Sequence, residues 1–388
     1  MHKFTKIIAV FAILLSIFCF STPKSKQALA LNETEISVQA KASYLIDHAS
    51  GTEILSNNAD AKLPIASMTK LATLAVVFNE IEEGRLSLDD KVSVSQNAAD
   101  TEGSSAFLDA GSSYSVQDLI KTIVMVSAND SCVALAEKIA GSEELFAKKM
   151  NNLCSKLKLS NTHFENCTGL PSASHYSSAR DIAKIYSQIC DNSLYKQYSK
   201  IWMEDFIHPS GRKTGLVNTN RLIKTYSGCE SGKTGHTSEA KYCLTASASR
   251  SGMRLIAVII GAESSKVRFA EVTKMFNYGF ANYQTQTIIN TSLPLAKVSV
   301  RGATQRQLEL YAKRDYSVLQ KKGEEKDYST KLEIPNSITA SIENGQVIGK
   351  IYVLDQNKIV VDEIELVSKE NINKIKLGEI FHNIALSW

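Results

Sequence analysis

The sequence predicts an α+β protein: one antiparallel sheet flanked by helices, then a small all-β domain and a terminal amphipathic helix. Strand patterns at residues 42–56 and again at 242–260 bracket a stretch whose apolar residues recur at helical spacing. From about residue 290 the pattern changes to short alternating strands separated by turns. At the end of the chain, Leu377, Ile380, Phe381, Ile384 and Trp388 fall on one helical face.

The chain has 388 residues, 44% apolar and 22% charged, which suits a folded protein of two or three domains rather than a disordered one. Residues 1–30 differ from the rest. Lys3 and Lys6 open the segment, Ile7 to Phe20 is apolar apart from Ser16, and Ala28-Leu29-Ala30 closes it with small residues. That layout predicts a secretory signal peptide, and the apolar run is short for a permanent membrane span. A buried N-terminal helix is the alternative. Four of the 44 basic residues and none of the 40 acidic ones lie in residues 1–30, so the rest of the chain balances at zero net charge. No electrostatic footprint for nucleic acid remains.

Six cysteines follow residue 30: Cys132, Cys154, Cys167, Cys190, Cys229 and Cys243. None forms a CxxC pair, and no histidine stands at ligand spacing from a cysteine, so no metal site is expected. Export permits disulfides but a core of this size does not need them; only Cys229 and Cys243 are placed to meet, across a hairpin centred near His236, and strict disulfide geometry weighs against a bridge even there.

Ala42–Asp47 and Thr52–Ser56 read as a strand pair around Ala49-Ser50-Gly51. Pro64 precedes a helix predicted from Ser67 to Glu82, with Gly84 as its stop. Residues 85–190 read as mostly helical, with clear spacing at Val116–Val126 and Cys132–Ile139. Tyr242–Ser249 and Arg254–Ile260 read as strands, and 267–283 as a helix. Short strands are predicted at 298–300, 308–311, 331–334, 346–353 and 358–366. Ile372–Trp388 reads as an amphipathic helix that either docks on its own domain or lies in a membrane interface.

Three short motifs carry candidate chemistry. In Ser67-Met68-Thr69-Lys70, helical spacing puts a hydroxyl beside an amine, close to the positive end of a helix. A serine needs a base, and a lysine serves as one only when neutral. Bringing its pKa from about 10.4 to about 7 takes about 5 kcal/mol, which burial and a second cation can supply. Ser-x-x-Lys also starts at Ser21, Ser155, Ser193, Ser210 and Ser238. What marks Ser67 is Pro64 and the strand pair before it and the apolar helix after it; by itself it reads first as an ordinary helix cap. Ser127-Ala128-Asn129 lies between two helical runs, where a hydroxyl could relay a proton and an amide could hold a carbonyl, or both could simply cap. Lys233-Thr234-Gly235 precedes a strand, and a duplicate stands at Lys213-Thr214-Gly215. Such a strand offers a cation to a carboxylate and an edge to a peptide, or merely guards a sheet edge.

Taken together, in this order and behind an export signal, the motifs resemble those of the low-molecular-mass penicillin-binding proteins of the D-alanyl-D-alanine carboxypeptidase family. Pro64-Ile65-Ala66, Asp130 and His175-Tyr176-Ser177-Ser178-Ala179-Arg180-Asp181 strengthen the likeness. It covers roughly residues 40–285, and the remainder resembles the family's C-terminal part in kind. The resemblance implies a β-lactamase/transpeptidase-like fold and a serine-type carboxypeptidase that removes the terminal D-alanine of peptidoglycan stem peptides. By that likeness Ser67 is the nucleophile, Lys70 its base and Ser127 the proton shuttle. Asn129 orients the peptide, and Lys233, Thr234 and Gly235 receive its end. The N–H groups of Ser67 and His236 form the oxyanion hole, and Arg268 lies near the carboxylate. No metal or organic cofactor is implied, and β-lactams are the expected covalent inhibitors. The implied organisation is a signal peptide over 1–30, a penicillin-binding domain over 31–286, a β-rich domain over 287–368 and a membrane-associating helix over 369–388, with the enzyme outside the cell.

Two departures stand out. Cys132 and Cys167 lie beside family motifs where cysteine is not expected, and Cys132 is read as a small buried hydrophobe. Two other readings compete with this one. A β-lactamase would need a water-positioning glutamate, and no Glu-x-x-Leu-Asn occurs in residues 140–190. An inactive wall-binding scaffold would not be expected to keep all three motifs intact.

Overall fold

The computed structural model describes residues 36–375. Its first sheet is antiparallel, built from β1 (Ala42–Asp47), β2 (Glu53–Asn57) and three strands that return nearly two hundred residues later. The order is β2-β1-β9-β8-β7, with β7 (Cys229–Thr237), β8 (Lys241–Arg250) and β9 (Met253–Ala262). Two hairpins, β3 (Lys91–Ser93) with β4 (Ser113–Ser115) and β5 (Met203–Ile207) with β6 (Lys213–Val217), stand apart from it. β1 and β9 lie inside the sheet, and every residue of β1 is buried. That is why both read as apolar runs, whereas β7 lies at an edge and carries Lys233-Thr234-Gly235 there.

Helix α1 (Lys70–Glu82) is buried from Lys70 through Phe78, so it is a central helix rather than a surface one. Around it stand α2 (Val116–Val126), α3 (Asn129–Ala140), α4 (Glu143–Lys156), α5 (Ala179–Ile189) and α6 (Ser193–Ser199). α5 packs against α1, β1 and β9 through Ile182, Ile185, Tyr186 and Ile189, the i, i+3, i+4, i+7 stripe of an amphipathic helix. Its start is capped by Ser178, whose hydroxyl accepts from the backbone of Asp181. Helix α7 (Ser265–Asn282) packs against β8 and β9.

Ser67 does not open the α-helix as the spacing predicted. Residues Ala66–Thr69 form a 3₁₀ turn, and the α-helix begins at Lys70. Two distant glycines explain the tight turn. A Cβ at Gly169 would stand 2.1 Å from the Ala66 carbonyl oxygen, and one at Gly235 would stand 2.6 Å from that of Ile65. Ala66 itself adopts a φ of 48°. The turn is therefore shaped by what packs on it, which no local pattern reveals.

Residues 85–190 are less uniformly helical than their spacing suggested. They include β3 and β4, three residues each, and an irregular stretch over 157–178. Three-residue strands are too short to display a period. The irregular stretch is tied down by isolated bridges, Leu63 to Ser177 and His163 to Tyr176.

Cys229 and Cys243, the one pair the sequence placed to meet, are not bridged, and the six described cysteines are free. The β7–β8 turn falls over residues 238–240, not at His236, so Cys229 pairs with Ala248 and Cys243 with Gly235. A hairpin centre displaced by about three residues moves the two thiols several residues apart along the ladder.

The C-terminal strands run β10 (Tyr283–Ile289), β11 (Ala296–Arg301), β12 (Gln307–Ala312), β13 (Tyr316–Lys321), β14 (Ser329–Glu333), β15 (Ser337–Thr339), β16 (Val347–Leu354) and β17 (Val360–Val367). Six form a sheet in the order β14-β16-β17-β12-β11-β15, and β10 pairs with β13. Val298, Val300, Leu308, Leu310, Ile351, Val353, Ile364 and Leu366 fill the core by period-two alternation. β10 and β13 escaped sequence reading because neither separates a buried from an exposed face cleanly. The predicted terminal helix cannot begin at Ile372, which is buried and bridges Ile342 as a strand residue. Its remainder, from residue 376, lies outside the described residues. No helix among the described residues is long and apolar enough to cross a membrane.

Candidate active site

The three motifs meet where the 3₁₀ turn, the α2–α3 junction and edge strand β7 converge. Lys70 is fully buried, and its Nζ donates to Ser67 Oγ at 2.8 Å and to the carbonyl oxygen of Thr168 at 2.6 Å. Burial lowers the Lys70 pKa, opposed by Cys132, Cys167 and Asp130 nearby. Ser67 is only partly buried, so its hydroxyl is reachable while its amine partner is not.

Ser127 ends α2 in a left-handed conformation with φ 66°, which costs a non-glycine residue about 1–2 kcal/mol. The turn aims its hydroxyl at β7, where Lys233 Nζ donates to Ser127 Oγ at 2.7 Å. Lys233 Nζ also donates to the Thr234 carbonyl at 3.0 Å. Burial pushes the Lys233 pKa well down, and the amine of Lys70 adds to the effect. A carboxylate arriving beside Lys233 would reverse that pressure and favour the ammonium.

Asn129 is buried at the start of α3. Its Nδ2 donates to the Glu102 carbonyl at 2.5 Å and its backbone N–H to the Ser104 carbonyl at 2.6 Å. Its Oδ1 is buried without a partner, an unsatisfied acceptor. Next to it, Asp130 accepts from Ser105 Oγ at 2.7 Å and from the N–H groups of Ala106 (3.1 Å) and Leu108 (3.0 Å), holding that loop in place.

On β7, Thr234 Oγ1 donates to Thr219 Oγ1 at 2.9 Å. Gly235 lies against the 3₁₀ turn, and exposed His236 rests on Tyr242 with ring centroids 4.2 Å apart. Arg268 is placed less directly than the resemblance implied. Its Nη1 donates to the carbonyls of Gly235 (3.1 Å) and Cys243 (3.3 Å), so it braces β7 and β8 from α7. Its Nε is buried without a partner, and burial pulls its pKa down to about 10.

The structure thus joins the three motifs: Lys70 holds Ser67, Lys233 holds Ser127 beside the Lys70 amine, Asn129 stands two residues after Ser127, and Thr234 and Gly235 continue β7, with Gly235 against the turn that carries Ser67. The duplicate Lys213-Thr214-Gly215 lies on hairpin β5–β6 instead. Cys132 is buried with its thiol pushed up to about 12 by burial, so it is an inert filler between the two lysines. The hydroxyls of Tyr186 and Ser247 around Ser231 on β7 escaped sequence reading. The stretch from Asn166 to Pro171 reads in the sequence as one that could tune the mouth of the site, but not that its Thr168 carbonyl meets Lys70 or that Asn166 holds the turn.

Elsewhere, His48, Cys190 and Asp191 approach one another, but Lys196 and Arg254 already hold the Asp191 carboxylate at 2.8 and 2.6 Å. The other oxygen of that carboxylate lies 2.8 Å from His48 Nε2, so both are engaged within the protein.

A reachable hydroxyl on a buried amine, beside a second buried amine at a strand edge, is equipment for serine acyl transfer. The comparisons with known proteins agree. Residues 27–264 match the family model described as D-alanyl-D-alanine carboxypeptidase, and 283–374 match the C-terminal domain of penicillin-binding protein 5. The D-alanyl-D-alanine carboxypeptidase DacF of Bacillus subtilis (strain 168) is 39% identical over 342 residues, 88% of each chain. DacC of Escherichia coli (strain K12) is 34% identical, covering 87% of this chain and 85% of its own. The crystal structure of penicillin binding protein 5 from Haemophilus influenzae superposes with a TM-score of 0.70 at 30% identity, over 88% of this chain and 99% of that one. The chain belongs to the D-alanyl-D-alanine carboxypeptidase family.

Proposed function

We propose that this serine-type D-Ala-D-Ala carboxypeptidase works through Ser67, Lys70, Ser127 and Lys233. The observation that carries the reading is Lys70 Nζ at 2.8 Å from Ser67 Oγ, with the amine buried and its pKa lowered. Neutral Lys70 takes the hydroxyl proton as Ser67 attacks the penultimate D-Ala carbonyl of a peptidoglycan stem peptide. The N–H groups of Ser67 and His236 hold the oxyanion. Ser127 passes a proton to the departing D-alanine, whose carboxylate rests on Lys233 and Thr234. Asn129 Oδ1 accepts from the peptide backbone, Gly235 leaves room on β7, and Arg268 keeps β7 in line. Water then hydrolyses the ester.

A β-lactam follows the same first half, because its ring amide takes the place of the scissile bond. Wild-type protein should be labelled covalently by a fluorescent penicillin and should release D-alanine from a defined pentapeptide. Ser67→Ala should do neither, and a labelled Ser67→Ala would put the nucleophile elsewhere.

The working location of the enzyme is the outer face of the membrane or the wall, with residues 1–30 as signal peptide. The penicillin-binding domain spans 31–286 and the β-rich domain 287–368, and the membrane-associating segment is the part of 369–388 that follows residue 375. Because Ile372 is buried against Ile342, a truncation that tests membrane association should begin at residue 376. It should move active protein from the membrane to the soluble fraction; unchanged fractionation would remove the anchor from this reading.

A further inference from the structure

A neutral lysine has two N–H bonds and one lone pair, so a base must be rotated until the lone pair faces the hydroxyl. The Thr168 carbonyl, 2.6 Å from Lys70 Nζ, takes one of those hydrogens. Its position therefore decides where the lone pair of Lys70 points. Yet Thr168 lies in a stretch without helix or strand, and something must fix it.

Asn166 does so from within. Its Oδ1 accepts from the N–H of Gly169 at 2.7 Å, the N–H of Thr168 at 3.2 Å and Thr168 Oγ1 at 3.1 Å. Its Nδ2 donates to the Leu170 carbonyl at 3.0 Å. From outside, Glu143 accepts from the Cys167 N–H at 3.0 Å, and Thr73 Oγ1 donates to the Cys167 carbonyl at 2.7 Å. Gly169, held by Asn166, is the residue pressed against Ala66, the neighbour of Ser67. One amide side chain thus organises the loop that touches both members of the reacting pair.

We propose that Asn166 is a positioning residue for Ser67 and Lys70, acting through the carbonyl of Thr168 and the contact of Gly169. The proposal rests on Ser67 and Lys70 being nucleophile and base. A carbonyl accepting from Lys70 favours its charged form, so moving that carbonyl away lowers the Lys70 pKa. The other groups facing Lys70 are Asp130 and Cys132 from α3, Cys167 from the loop, Lys233 from β7, and His175. Cys132 and Cys167 stay protonated, and burial keeps His175 neutral with its pKa down at about 4. None of the hydrogen bonds made by Lys233 involves the loop.

The test is acylation by a fluorescent penicillin across pH, with kcat and KM for an N-acylated peptide ending in D-Ala-D-Ala. Asn166→Ala should acylate on the order of ten- to a hundred-fold more slowly. Its kcat should fall with little change in KM, and the acid limb of its profile should move to lower pH. Asn166→Asp keeps the acceptor oxygen and should recover most of the rate, with the limb at or above its wild-type position. Should Asn166→Ala fail to fold, Asn166→Ser is read by the same criteria. A wild-type rate, a slow variant whose acid limb has not moved, or no recovery with aspartate would each overturn the proposal. Ser67→Ala run alongside separates the two readings: if it is still labelled, the nucleophile assignment fails, whatever Asn166 does.

Discussion

Gly235 and Ile65 approach so closely that a Cβ on the glycine would stand 2.6 Å from the Ile65 carbonyl oxygen. Strand β7 and the 3₁₀ turn are pressed together there, with Ala66 Cβ and the Met68 N–H nitrogen each 3.3 Å from the same point, so the strand that carries Lys233 is packed directly on the turn that carries Ser67.

Gly235→Ala must push the strand off the turn. Displacements near 1 Å cost catalysis about a hundred-fold, and overpacking costs roughly 1–3 kcal/mol. Penicillin labelling should slow by about that factor, and thermal unfolding should come earlier. Gly215→Ala, in the duplicate motif, meets nothing within 4 Å and should behave as wild type in both assays.

Replacing Lys70 by methionine should abolish D-alanine release and make stability depend on pH in a defined direction. The folded-state pKa of Lys70 lies below the ordinary 10.5. Below that folded value the amine is charged in both states, and its burial is a cost. Between the folded value and 10.5 the unfolded chain holds a proton that the folded chain does not, so wild-type stability rises with pH. Lys70→Met should therefore be more stable than wild type by roughly 1–2 kcal/mol near pH 6, an advantage that shrinks toward pH 10. Urea unfolding at a series of pH values checks the sign.

Asp130→Asn should loosen the loop over residues 105–108, because a neutral amide replaces a carboxylate that accepts from Ser105, Ala106 and Leu108. A stability loss of about 2–4 kcal/mol is expected. Phe107 is 62% exposed in that loop, so chymotrypsin should nick the variant there faster than wild type.

The thiols should be slow at neutral pH. Burial pushes Cys132, Cys154, Cys190 and Cys229 to about 12 and Cys243 to about 11. An aromatic disulfide reagent should leave the native protein largely unmodified and react fully after denaturation, and reductant should not change the melting temperature. A peptide linking Cys229 to Cys243 in a non-reducing digest would contradict the hairpin register.

Sequence by itself determined the local elements with strong periodicity and the chemistry carried by three short motifs. Ala42–Asp47 and Val116–Val126 were legible to the residue, because alternation and i, i+3, i+4 spacing are properties of neighbouring residues. Family motifs in order were enough to read the class of reaction. Context and likeness already picked Ser67 among the Ser-x-x-Lys serines and Lys233 over Lys213; only the tertiary structure decided how these residues meet, since Lys233 reaches Ser127 across 106 residues and Lys70 reaches Thr168 across 98. It also decided the 3₁₀ turn, the register that parts Cys229 from Cys243, and the hydrogen bonds of Asn166. Each depends on backbone segments far apart in the chain coming into contact, and no local periodicity encodes a contact of that kind.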